Sequence, residues 1–277
     1  MNVHEFRKTL HRKLFPVSHI FFVGLGETKQ QSYKQSKTSP SSIFILVKYN
    51  YPNNYKLFQL DINDFNSINS LLNKILSKEK KIDILINNAG LGITGPAEET
   101  SITEMENNFK TNFFGPVKLM QEVLPIMRSN KSGLIINITS IASYMGLPFR
   151  GCYSASKASM QIFTESIRME VKKFGINICT LAPGEFATNI ASRRYHSPIR
   201  DGEYKKIYKN SLEKMNKHVN NGGDPVDVAK VIYKIIKNKS PRVHYKIGAW
   251  LQKFSIYLKK ILPDYLFEKI LMQFYKL

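Results

Sequence analysis

At 277 residues the chain is long enough for one α/β domain with a large core, and its 43% hydrophobic and 12% aromatic content excludes a disordered chain. No uninterrupted apolar run approaches the roughly 20 residues of a spanning helix, and Met1 to Phe15 lacks the compact apolar stretch and small-residue cleavage site of a secretory signal. The net charge of +20 raises nucleic acid as a partner, but the lysines are scattered along helix-like segments without a recognition motif; they read as solvated faces, and no nucleic-acid partner is expected.

In chain order, Phe21-Phe22-Val23-Gly24 offers a first strand and its turn. Residues 28–42 carry only Tyr33 where a sheet-covering helix needs an apolar stripe, so a loop or disorder is expected there. Strand-like runs follow at Lys56–Leu60, Ile82–Ile86, Gly133–Thr139, Ile176–Leu181 and Val243–Ile247. Helical patterns lie between most of them, at about 64–80, 102–128, 153–174, 204–219 and 225–238, the last opened by Asp224 as cap and Pro225 in the first turn. Such alternation predicts an α/β fold of one domain, a Rossmann-like, doubly wound parallel sheet with an incomplete or irregular first βαβ unit.

From Trp250 to Leu277, apolar residues at near-helical spacing on both sides of Pro263 predict two amphipathic helices. These pack on the domain or on a sister subunit, or lie against a membrane surface with help from Lys253, Lys259, Lys260 and Lys269. The expected organisation is an atypical segment 1–50, a catalytic domain 51–248 with a substrate cap at about 188–220, and a helical tail 249–277. Cys152 and Cys179 are too few to staple a fold of this size, which suits a reducing cytoplasm.

The sharpest chemical signal is Tyr153-Ser154-Ala155-Ser156-Lys157, where Tyr and Lys four apart on a helix share one face. An unperturbed tyrosine ionises near pH 10, so proton transfer at neutral pH needs a neighbouring cation, which Lys157 is placed to supply. Ser140 stands at the end of the buried-strand run Leu134–Thr139, where a hydroxyl would polarise a carbonyl. Asn87-Asn88-Ala89-Gly90 follows the apolar run Ile84–Ile86, and its small and amide side chains allow a ligand close to the backbone at the carboxyl edge of the sheet. As an isolated tetrapeptide it reads equally well as an ordinary turn.

The set of Asp61, NNAG, NFFG at 112–115, Ser140, YSASK and Pro183-Gly184 resembles the short-chain dehydrogenase/reductase family in order and spacing over about residues 56–190. NNAGLGITGPAEE and SYMGLPF are similar to its 17β-hydroxysteroid and retinol dehydrogenase-like branch. The resemblance implies an NAD(P)-dependent oxidoreductase with Tyr153 as general acid/base and Ser140 as hydrogen-bond donor, both at the substrate oxygen. It implies Lys157 on the nicotinamide ribose and Asn112 holding a water that links Lys157 to solvent. It places Asp61 and Ile62 at the adenine, Asn88 and Gly90 at the ribose and phosphates, and Pro183, Gly184 and Thr188 around the carboxamide. No metal is implied, and the partners are a small apolar alcohol or carbonyl compound and sister subunits in a homodimer or homotetramer. Lys48 favours NADP over NAD as a partner for the 2′-phosphate.

The sequence departs from the family at the phosphate-binding turn TGxxxGxG. Before Gly90 the chain has only Gly24 and Gly26, and the later motif glycines fall on Thr28 and Gln30, whose side chains would crowd the pyrophosphate. The first helix that would turn its positive end to that phosphate is missing as well. A rearranged or frame-shifted 5′ end is the expected cause, and an inactive scaffold is the alternative function.

Overall fold

A computed structural model of the chain describes residues 19–25, 42–48, 55–186, 194–220 and 222–277. Its frame is a seven-stranded sheet of β1 (His19–Leu25), β2 (Ser42–Lys48), β3 (Tyr55–Leu60), β4 (Ile84–Asn87), β6 (Gly133–Ile138), β7 (Ile176–Pro183) and β9 (His244–Ile247). The order across the sheet is β3-β2-β1-β4-β6-β7-β9. Strands β1, β4, β6, β7 and β9 pair in parallel, as expected for the doubly wound sheet. Chain order runs outward in both directions from β1, so the switch point lies between β1 and β4, and the ligand crevice of such sheets opens there beyond the strand carboxyl ends.

The irregular first unit takes a definite form. Strand β2 runs antiparallel to β1, with Val23 opposite Phe44, and antiparallel again to β3. A βαβ crossover would have delivered β2 parallel. Residues 28–41 of the expected loop lie outside the described residues, and Ser42 already opens β2.

The helices cover the sheet as the apolar pattern requires. α1 (Phe65–Glu79) is capped by Asp64, which accepts from Asn66 N. α2 (Ile102–Phe109) passes through a π-helical turn, Lys110–Phe114, into α3 (Gly115–Ser129), so the continuous helix expected at 102–128 is interrupted. α4 spans Gly151–Val171, α5 Tyr204–Asn220 and α6 Pro225–Lys237, with Asp224 capping α6 through Val226 N at 2.9 Å. Two short strands, β5 (Ile93–Thr94) and β8 (Tyr195–His196), pair beside the sheet. α7 (Trp250–Ile261) and α8 (Asp264–Tyr275) end the chain on either side of Pro263.

Alternate residues of the central strands feed two cores. Leu85, Ile135 and Ile178 meet Leu72 and Ile75 of α1, Val123 of α3 and Ile167 of α4. Ile84, Ile86, Ile136 and Leu181 meet Val228, Ile232 and Ile235 of α6. A strand buried on both faces must be apolar at nearly every position, which is why β4 reads Ile-Leu-Ile. Each such side chain taken from water contributes about 1.5–3 kcal/mol. A third cluster seats the tail helices, with Ile256 and Phe267 packed on Ile141 and Met145.

Candidate active site

Strand β6 delivers Ser140 just past its carboxyl end. The residue has extended backbone, and its Oγ accepts from Ala142 N at 3.2 Å, capping the short 3-10 turn Ile141–Tyr144. That turn brings the chain back into α4, whose first turn carries Tyr153 and whose second carries Lys157. Ser140, Tyr153 and Lys157 are all buried. They line one cleft of about 130 Å³ together with Asn88, Gly90, Pro183 and Gly184. Seven of the residues singled out from sequence thus meet at the carboxyl ends of β4, β6 and β7.

Lys157 Nζ donates to Ile138 O at 3.0 Å. An ammonium carries three N–H donors, so this bond leaves two for a ligand in the cleft. Burial holds the Lys157 pKa below the usual lysine range, opposed by the charge of Tyr153. Gly90 leaves room for two side-chain ends: a Cβ there would stand 2.9 Å from Lys157 Nζ and 3.2 Å from Asn112 Oδ1, and one of them would have to shift.

Asn112 lies in the π-helical turn, behind the cleft. Its Oδ1 accepts from Leu91 N at 2.8 Å, and its Nδ2 donates to Leu91 O at 2.9 Å, in the manner of a strand neighbour. The same Nδ2 is 3.0 Å from Ser156 Oγ on α4. A π turn shifts the register of one helical turn, a device frequent at functional sites, and here it turns Asn112 toward the loop after β4.

Asp61 and Ile62 lie beyond β3, outside the cleft lining. Asp61 Oδ1 accepts from Asn63 N at 2.9 Å. Ile62 is buried against α3, where a Cβ on Gly115 would stand 2.4 Å from Ile62 O. Thr188 lies outside the described residues. Tyr144 and Met145 pack beneath the tail helices, Leu147 packs both there and against Ile93 and Tyr153, and Phe149 stacks on Tyr208 with centroids 5.3 Å apart.

The cleft also takes in residues that no motif had marked, among them Arg150, Glu185 and Arg194. Arg150 stands at the N-terminal boundary of α4, and its guanidinium lies 5.3 Å above the Tyr153 ring. Arg194 precedes β8, whose Tyr195 pairs with Ile93 of β5. A larger cavity of about 920 Å³ opens alongside, sharing Glu185 and Phe186 but none of Ser140, Tyr153 or Lys157. The chemistry therefore belongs to the smaller cleft.

The arrangement can move a proton at the phenol, offer a hydroxyl to the same oxygen, and hold a hydroxylated ligand on a buried cation. Similarity to known proteins agrees with it. A family model described as short chain dehydrogenase matches residues 35–198. A 3-ketodihydrosphingosine reductase of Bacteroides thetaiotaomicron is 35% identical over 222 residues, covering 79% of this chain and 82% of the relative. Retinol dehydrogenase 8 of Bos taurus is 35% identical over 191 residues, covering 66% of this chain and 61% of the relative. Among solved structures, ElxO with NADP bound superposes with a TM-score of 0.56 at 30% identity, covering 69% of this chain and 75% of that one. With a matching sheet, a matching family model and relatives of this identity and coverage, the chain belongs to the short-chain dehydrogenases.

Proposed function

We propose that this chain interconverts an alcohol and a ketone or aldehyde on an apolar, steroid-, retinoid- or lipid-like substrate, using NADP or NAD. The observation that carries the reading is the convergence of Ser140, Tyr153 and Lys157 on one cleft at the sheet's carboxyl edge. Ser140 donates to the substrate oxygen while Tyr153 gives or takes its proton. Lys157, anchored on Ile138 O, directs its remaining donors to the ribose and stabilises negative charge developing on the Tyr153 oxygen. Asn112 holds the loop after β4 and, through it, the water that connects Lys157 to solvent.

The nicotinamide half of the cofactor fits this cleft, because Lys157 has donors to offer a ribose and Pro183 and Gly184 line the wall expected to face the carboxamide. Asn88 and Gly90 would hold the ribose and phosphate region, Thr188 the carboxamide, and Asp61 with Ile62 the adenine. When bound, the cofactor supplies or accepts the hydride; the protein's share is orientation. Lys48 supports NADP as the preferred form.

Around this centre, residues 51–248 act as the catalytic domain, about 188–220 as the substrate cap, and 249–277 as a tail. A homodimer or homotetramer is supported by an exposed stripe on α4 that includes Ala155, Ile162, Ser166 and Met169. Peripheral contact of a cytoplasmic protein with an anionic bilayer is supported by Trp250, Leu251, Tyr257, Ile261 and Tyr265, each more than half exposed beside the tail lysines. No helix among the described residues is long and apolar enough to cross a membrane.

A second reading, a scaffold without turnover, is favoured by the antiparallel β1–β2 pairing and by a family match that begins only at residue 35. Fluorescence titration with NADH, NADPH, NAD and NADP separates the two. Binding of one of them, with turnover of apolar carbonyls that Tyr153→Phe abolishes while cofactor affinity persists, supports the enzyme; binding of none leaves the scaffold.

A further inference from the structure

Besides Lys157, the cleft is lined by the cationic side chains of Arg150 and Arg194, which proton transfer does not require. Arg194 is only 7% exposed, and its Nη1 is buried without any hydrogen-bond partner. An uncompensated buried charge costs several kcal/mol, so folds rarely retain one without a counter-ion. Burial, and after it the charge of the nearby Arg150, pushes the Arg194 pKa down, more than the opposing charges of Tyr153, Glu185 and Tyr208 raise it.

The surroundings hold Arg194 in place. A Cβ on Gly92 would lie 2.9 Å from Arg194 Cγ and 3.2 Å from its Nε, so the missing side chain at 92 makes the slot in which the arginine lies. The following residue, Tyr195, is fixed by its pairing with Ile93, and Tyr195 N donates to Gly92 O at 3.0 Å. Arg150 lines the same wall and lies beside the buried phenol of Tyr275, the last residue of α8. The acidic residue of this wall is Glu185, which accepts from Gln252 Nε2 at 3.0 Å. Among the described residues, two guanidinium groups against one carboxylate leave the wall positive.

We infer that Arg194, with Arg150 beside it, forms an anion subsite in the substrate cleft, and that the favoured substrates carry a carboxylate or phosphate on an otherwise apolar frame. This rests on the reading of the cleft as the substrate site. A guanidinium meets a carboxylate or phosphate in a two-point fork, with orientation as well as charge. An anion held there would fix which carbon of a long apolar molecule stands beside Tyr153. The subsite is built on Gly92 and β8, whereas Lys157 stands against Gly90 in the lining of the same cleft.

The test uses the full chain with two probe pairs, 4-oxopentanoate and 10-oxoundecanoate, each beside its methyl ester. Binding is measured by calorimetry without cofactor, and turnover with NADPH and with NADH. Both acids are expected to bind more tightly than their esters, and Arg194→Gln to lower that preference on the order of tenfold or more, the weight of a charge-assisted hydrogen bond. Arg194→Lys keeps part of the preference, and Gly92→Ala, which displaces the arginine without removing it, loses part. Equal binding of acid and ester by the unaltered chain overturns the inference. So does an Arg194→Gln variant that weakens only NADPH and NADH binding, since the anion would then be the cofactor's phosphates. Acid preference in binding without turnover would leave the subsite standing and remove the redox reading instead. Thermal melting of each variant separates loss of the subsite from loss of the fold.

Discussion

Asn112 donates its amide to the Ser156 hydroxyl over 3.0 Å, and so ties the π-helical turn to the helix that carries Tyr153 and Lys157. Ser156 is fully buried and donates in turn to Asn108 Oδ1 at 2.9 Å. The loop after β4, the π turn and α4 thus share one polar network, and the cleft depends on all three.

Asn112→Leu keeps the volume and removes both bonds to Leu91. Each backbone group left unpaired out of water costs about 1–3 kcal/mol, so urea unfolding is expected to show a loss of at least ~2 kcal/mol with an unchanged slope. Ser156→Ala, which removes a hydroxyl but leaves Asn112 its bonds to Leu91, should cost roughly 1 kcal/mol. An Asn112→Leu midpoint equal to that of the parent would show that the network contributes nothing.

Two glycines near the cleft should respond oppositely to alanine. At Gly95 a Cβ would stand 2.1 Å from Ser197 Oγ and 2.5 Å from Thr100 Oγ1, which are themselves bonded at 2.9 Å. Gly95→Ala must push β5 and β8 apart, and overpacking of this kind costs about 1–3 kcal/mol. At Gly146 nothing lies within 4 Å of the added atom. Gly146→Ala should be neutral or stabilise by about 0.4–1 kcal/mol, because it narrows the unfolded ensemble. Differential scanning calorimetry of the two variants decides it, and a Gly95→Ala protein that melts with the parent refutes the packing argument.

The central strands could be read from the sequence because burial on both faces leaves runs such as Leu134–Ile138 with no polar alternation to confuse, only Asn137 bonding sideways to Thr164 at 2.9 Å. Helix starts were legible where a cap and a proline coincide, as at Asp224-Pro225. Ser140, Tyr153 and Lys157 were legible as a set because parallel strands deliver their carboxyl ends to one edge whatever the details of packing. The reversal of β2 was not, since period-2 apolar runs do not encode direction. Nor was Arg194, because a basic residue in a connecting segment looks the same whether solvated or buried; only the slot at Gly92 distinguishes it. The π turn escaped for a similar reason, its cause being bonds from Asn112 to a loop distant in sequence.

The two thiols should differ in reactivity and give the fold an alkaline limit. Burial pushes the Cys179 pKa up to about 12, and burial also raises that of Cys152, which is only partly covered. In the unfolded chain a thiol ionises near its ordinary value of 9.0. The folded state therefore keeps a proton that the unfolded state releases, and the Cys179 contribution is full below about pH 9 and is lost as pH rises toward about 12. Cys179→Ala should flatten that part of the stability–pH curve. A disulfide-exchange reagent at neutral pH should reach Cys152 slowly and Cys179 only after denaturation. Rapid labelling of Cys179 in the native protein would contradict its burial.

Lys157 gives a slope of the opposite sign. Its folded pKa lies below the ordinary lysine value of 10.5, with burial as the main cause. Between the two pKa values the unfolded chain binds the proton more readily than the folded one, so this group's contribution to stability rises with pH up to about 10.5. Lys157→Met abolishes that dependence while leaving Ile138 O without its donor. The stability of the parent relative to the variant should therefore grow as pH is raised through the alkaline range, measured by denaturant unfolding in a common buffer series. Cys179 is present in both proteins and cancels in the difference. Turnover should fall at least ~100-fold in the same variant, the usual weight of assisted proton transfer. A difference in stability that stays flat with pH would mean that Lys157 titrates as it does in water, and that burial does not disfavour its charged form.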